Sequence, residues 1–319
     1  MLKVESMTYL PPEQRPHLEH PLPPVGPPQQ YYVPGSQDQG QYPGPQPPGM
    51  RRRRRHPQAQ LERFTWMDLA TVLTYFVVMM VGVVGLLAPL FVSPDVLRDN
   101  LDVAGFVLNF VSYVICVVMV VLSLKKELWK SFKTFLWYPW AKFPSVPGAW
   151  FVCIMLTAFL VSLFAASQGI GPKDITQSEN QQAANSMMNA VAFFPMLLMV
   201  VVMGPLVEEY LFRHLLIGKL SGVLSRRLPR VARVLNPWVL MVIAAVAFCG
   251  LHFIGSGEVP TLITGTPYLL MGISFGTGYL LSGKSIGFSY SMHAFSNLMA
   301  LIVGYALGTD LLGWGPVGA

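Results

Sequence analysis

Phe193-Phe194-Pro195-Met196-Leu197-Leu198-Met199-Val200-Val201-Val202-Met203-Gly204-Pro205-Leu206-Val207-Glu208-Glu209-Tyr210-Leu211-Phe212-Arg213 is an apolar run that ends in two adjacent carboxylates and an arginine. Its length and composition read as a membrane helix. On a helix Glu209 and Arg213 are i,i+4 neighbours and form an ion pair. Glu208 lies about 100° further round and has no local partner. Ionisable groups inside a span cost several kcal/mol and usually mark function. A carboxylate in apolar surroundings is also a stronger base than one in water.

The rest of the chain agrees with a membrane setting. Of 319 residues 53% are apolar and 12% charged, with a mean hydropathy of +0.48. Soluble domains carry roughly a quarter charged residues. The expected fold is an all-α, polytopic transmembrane helical bundle of about seven spans, near residues 66–92, 103–124, 149–168, 189–212, 237–254, 266–282 and 286–308. Basic connectors (Lys125 to Lys142; Lys219 to Arg233; Lys284) alternate with non-basic ones, which predicts a cytoplasmic N-terminus and an external C-terminus.

Residues 1–60 hold about half of the chain's prolines and read as a disordered, proline- and glutamine-rich cytoplasmic tail. The tail closes on Arg51–Arg55, which orients the first span and is a candidate contact for anionic lipids. Residues 61–148 are expected to form two spans and a basic loop, and 309–319 a short external tail. The net charge of +6 resides in loops beside spans, so nucleic acid is not expected as a partner. Cys116, Cys153 and Cys249 fall in apolar runs with no metal-ligand spacing and read as packing residues. With no secretory or endoplasmic-reticulum signal in the sequence, the expected location is a bacterial plasma membrane, with the first span as a retained anchor.

Further polar groups interrupt the later spans. His252 follows Phe248 by four residues, and Asn297 follows His293 by four, so each pair shares a helix face. A lone intramembrane histidine is usually an interhelical hydrogen bonder. Two histidines, an asparagine and a double glutamate within four spans favour a site. Depth tests that idea. If the glutamate helix stopped at Arg213, Glu208 and His252 would differ in depth by about 22 Å. Continuing the helix through His214 to about Ser225 removes the conflict, with the glutamates well inside it and Arg213 buried against Glu209.

The motifs Glu208-Glu209-Tyr210-Leu211-Phe212-Arg213, Phe248 to His252 and His293 to Asn297 resemble the EExxxR, FxxxH and HxxxN/D motifs of the CAAX protease and bacteriocin-processing family of intramembrane peptidases. That family includes the type II prenyl-protein endopeptidases. The resemblance spans roughly residues 150–308; His214 departs from it, standing where glycine is common. It implies that Glu208 and His252 activate a water for attack on a peptide carbonyl. His293 and Asn297 would donate to the oxyanion, while Glu209, Arg213 and Phe248 support the scaffold. The expected partner is a membrane-associated peptide or protein. No cofactor is needed for this reaction, although a divalent metal such as zinc could sit on Glu208, His252 and His293. A non-catalytic scaffold or immunity protein of the same fold, or a proton-coupled transporter, is the alternative.

Overall fold

The computed structural model describes residues 63–254 and 256–307, and among these the regular structure is helical with no strand. The expected tails, including Arg51–Arg55 and 309–319, lie outside the described residues. In chain order the main helices are α1 (Trp66–Met80), α2 (Val83–Leu90), α3 (Leu101–Phe135), α4 (Pro139–Ser167), α5 (Glu179–Ala190), α6 (Phe193–Arg227), α7 (Pro237–Ile254), α8 (Leu262–Leu281) and α9 (Ile286–Leu307). Short helical turns at Pro94–Asp99 and Pro229–Val234 fall between them.

Five helices are long and apolar enough to cross a membrane: α4, α6, α7, most of α9, and α3 up to Lys125. The pair α1 and α2, bent by 58°, makes a sixth if it counts as one span. The bend sits at Gly82, whose φ of +69° is open to glycine and strained for other residues. The span expected over 266–282 is the helix α8. Its four glycines, with Thr264, Thr266, Ser274 and Thr277, keep it short of the apolarity of the other five. Helix α3 runs on past the expected end at 124, turning at Lys125, where φ is +43°, so part of the lysine-rich connector is helical. Large apolar side chains such as Phe151, Val152, Phe159 and Leu163 on α4 point outward. A surface so apolar, carried on helices that satisfy their own backbone, belongs to an integral membrane protein.

Helix α6 is the centre of the bundle. Half of its apolar window is buried, against 22% for α3 and for α4. It runs unbroken for 35 residues, as the depth argument requires, yet it is not a uniform α-helix. Leu197–Met203 and Tyr210–Lys219 follow the wider i→i+5 pattern. In the first stretch the Gly204 N–H bonds back to the Met199 carbonyl. The next carbonyl, Val200, would look to Pro205, which has no N–H to give.

The second stretch turns polar side chains onto one buried cluster. Tyr210 and Lys219 are nine residues apart, about two and a half turns of α-helix, which would set them on opposite faces. Here both reach Asp68 of α1: the Tyr210 hydroxyl donates to Oδ1 at 2.7 Å and Lys219 Nζ at 2.9 Å. Ser123 of α3 donates to the same oxygen at 2.7 Å. Glu127 of α3 lies 3.5 Å from Lys219 Nζ and 2.6 Å from His214 Nε2. Asp68, Glu127, His214 and Lys219 are all buried. Lys219, read from the sequence as a loop charge, is thus an internal counter-ion. An unpaired ammonium at that depth is costly, whereas two carboxylates in reach compensate it. This cluster ties α1 and α3 to the helix that carries the glutamates.

Candidate active site

On the same stretch of α6, interleaved with the residues of the Asp68 cluster, stand Glu208, Glu209 and Arg213. Glu209 is 0% exposed and Arg213 1%, with Arg213 Nη1 3.1 Å from Glu209 Oε1. Arg213 Nη2 donates to the Gly272 carbonyl of α8 at 3.1 Å. Its guanidinium lies over Phe248 and Phe275, 5.0 and 5.5 Å from the ring centroids. The planar cation is therefore held by a carboxylate, a carbonyl and aromatic faces in place of water. Gly272 is needed for this approach. A Cβ there would stand 3.0 Å from the Ala245 backbone of α7, so a larger residue would push α7 and α8 apart.

Helix α9 brings His293 to both glutamates. Nδ1 is 3.0 Å from Glu209 Oε1 and Nε2 is 3.7 Å from Glu208 Oε2. Because Glu209 shares that oxygen with Arg213, its carboxylate accepts and Nδ1 donates. The ring is stacked on Phe275 at 4.5 Å and meets Phe248 edge-on at 5.7 Å. From α7, His252 Nδ1 lies 2.7 Å from the Phe248 carbonyl. A carbonyl only accepts, so Nδ1 carries the proton and Nε2 is the free nitrogen. Glu208 is within electrostatic reach of His252. Phe248 thus touches Arg213, His252 and His293 together, which accounts for an aromatic residue one turn before the histidine.

Glu208, the less buried carboxylate with 13% of its side chain exposed, is not paired by Arg213 as Glu209 is. Tyr113 of α3 and Tyr75 of α1 lie within its electrostatic reach. Asn297 follows His293 by four residues on α9. Its Nδ2 donates to the Val200 carbonyl at 2.8 Å, the acceptor that Pro205 leaves unserved. One amide hydrogen remains for another acceptor.

Glu208, His252 and His293 offer the nitrogen and oxygen donors that zinc favours. Among the described residues, no group of three or more His, Cys, Asp or Glu side chains is placed to hold a metal ion as it stands. Three features have no counterpart in the sequence motifs. They are the Glu209–His293 bond, the Asp68 cluster, and Tyr268 of α8, whose ring lies 4.3 Å from His252. Asp68 was open to notice as a carboxylate in the first apolar run. Tyr268 carried no signal short of the fold itself.

A helical membrane bundle with carboxylates and histidines gathered at its central helix defines a broad class. The family comparison narrows it: residues 190–299 match the family model of type II CAAX prenyl endopeptidase Rce1-like proteins. The match covers about a third of the chain and contains Glu208, Glu209, Arg213, Phe248, His252, His293 and Asn297. It is narrower than the 150–308 expected from the motifs and leaves out α1 to α4 and all of α5 but Ala190. Nothing matches among curated proteins or among solved structures.

Proposed function

We propose that the chain is an intramembrane endopeptidase that hydrolyses a membrane-associated peptide or protein. The observation that carries this reading is the shared arrangement of the two histidines around Glu208. Each has Nδ1 tied off, to Glu209 or to the Phe248 carbonyl, which leaves Nε2 as the working nitrogen. In the proposed reaction Glu208, with His252 Nε2, takes a proton from water as the water oxygen bonds to the substrate carbonyl carbon. His293, protonated on both nitrogens, donates from Nε2 to the oxyanion, with the second Asn297 hydrogen as a further donor. The C–N bond then breaks as the proton held by Glu208 or His252 passes to the departing amine. Glu209 and Arg213 touch no substrate and hold His293 in register.

Were a divalent metal bound at Glu208, His252 and His293, it would polarise the attacking water. Turnover measured in chelator, then with zinc restored, distinguishes the two routes. The family match supports peptidase chemistry in general, and the substrate is open, prenylated or not. The direct test compares membrane peptides of cells bearing the intact protein with those of cells bearing Glu208→Ala. Peptides present only with the intact protein are expected. Identical peptide sets would favour a scaffold of this fold.

Asn297→Ala is expected to act twice. It removes an oxyanion donor, lowering turnover about 10²–10³-fold. It also leaves the Val200 carbonyl without its partner, costing about 1–3 kcal/mol. Ionised, the carboxylate of Asn297→Asp cannot donate to Val200, and that variant should unfold at least as easily at high pH. A fully stable Asn297→Ala protein would argue against the Val200 bond, as measured by thermal unfolding in detergent.

A further inference from the structure

We propose that Tyr268 is a positioning residue for His252, fixing the imidazole plane that presents Nε2; the inference rests on the peptidase reading above. The His252 ring packs against two aromatic rings. Phe248 lies at 4.7 Å with planes 58° apart, and Tyr268 lies at 4.3 Å with planes 32° apart. The Phe248 carbonyl holds Nδ1 through one hydrogen bond, which a turn of the ring about Cβ–Cγ breaks. Tyr268 is the second constraint, and it is itself anchored at both ends.

One anchor is apolar: Phe253 meets the Tyr268 ring edge-on at 5.5 Å. The other is polar and comes from the start of α5. The Ser178 and Tyr268 hydroxyls are 2.8 Å apart, and Asn180 Nδ2 donates to the Tyr268 hydroxyl at 3.4 Å. Ser178 is fixed in turn as the N-cap of α5, accepting from the Gln181 N–H at 3.3 Å. Glu258, in the connection from α7 to α8, accepts from the Glu179 N–H at 2.8 Å. Gln177 accepts from Asn185 Nδ2 at 2.8 Å, closing this polar turn on itself. The tyrosine is therefore clamped at its hydroxyl and at its ring edge, and its face is the surface on which His252 rests. A working nitrogen held from two sides keeps its geometry while substrate enters, which is how supporting residues contribute to rate.

The test uses the full chain in detergent with histidine nitrogens labelled by ¹⁵N, His252 being assigned by His252→Gln. In the wild type its two nitrogens should give separate protonated and unprotonated signals. Tyr268→Leu should average that pair, while Tyr268→Phe, which keeps the ring, should preserve it. On a fluorogenic peptide built from a cleavage product of the peptide comparison, Tyr268→Leu should lower kcat about tenfold to hundredfold with KM little changed, and Tyr268→Phe should restore most of kcat. Tyr268→Met serves if the leucine variant does not fold. Unchanged His252 signals in the leucine or methionine variant would overturn the inference whatever the activity, and so would a phenylalanine variant as impaired as leucine. Should the wild type cleave nothing, the peptidase reading falls, while the nitrogen signals still decide what Tyr268 does to His252.

Discussion

Glu208→Gln is expected to abolish cleavage while leaving thermal unfolding close to that of the wild type. The two halves have separate physical causes. Glutamine keeps the shape of glutamate and one of its hydrogen-bonding oxygens. Glu208 has no arginine on it and is the less buried of the two carboxylates, so neutralising it strands no buried cation. What is lost is the base, worth about 10²–10⁴-fold for general base catalysis. Cleavage of a peptide from the membrane comparison, read beside unfolding in detergent, makes the check. Normal cutting by Glu208→Gln, with Glu209→Gln folded but inactive, would show that the two carboxylates have exchanged roles.

The Glu209–Arg213 pair could be reached from residue spacing because the two sit one turn apart, and the ion pair at 3.1 Å bears the spacing out. The long helix carrying them was legible too, since only a helix reaching about Ser225 brings Glu208 and His252 to a common depth. Other contacts escaped for a definite reason. Helical reading assumes a uniform turn, and α6 changes its turn twice. Under α-helical spacing Lys219 faces away from Tyr210 and looks like the first charge of a basic loop. With the i→i+5 stretch between them, both sit on Asp68. Asn297 is similar: its partner, Val200, is a backbone carbonyl, exposed to bonding by Pro205 and the wide turn around it. Proline marked the place, but no sequence pattern names a carbonyl as the acceptor. Tyr268 is the extreme case. It reaches His252 only because α7 and α8 pack closely and a polar turn about ninety residues upstream holds its hydroxyl.

The second large effect concerns stability. Arg213→Met is expected to destabilise the protein by about 3–5 kcal/mol, because it leaves Glu209 buried with only its hydrogen bond from His293 Nδ1 to compensate it. Glu209→Gln should cost a comparable amount from the other side, since the guanidinium keeps the Gly272 carbonyl and the aromatic faces but loses its only paired carboxylate among the described residues. It should also slow turnover, because His293 Nδ1 would face an amide in place of a carboxylate. Replacing both residues, by Gln and Met, removes the two charges together and fills the space with side chains of similar volume. Buried pairs treated this way often recover most of the loss, so the double variant should unfold later than either single one. Its turnover should remain low, for the His293 contact is not rebuilt. Thermal unfolding of all three variants in one detergent measures the coupling. Strict additivity, with the double variant as unstable as the two single losses combined, would mean that Glu209 and Arg213 stabilise the bundle separately and not as a pair.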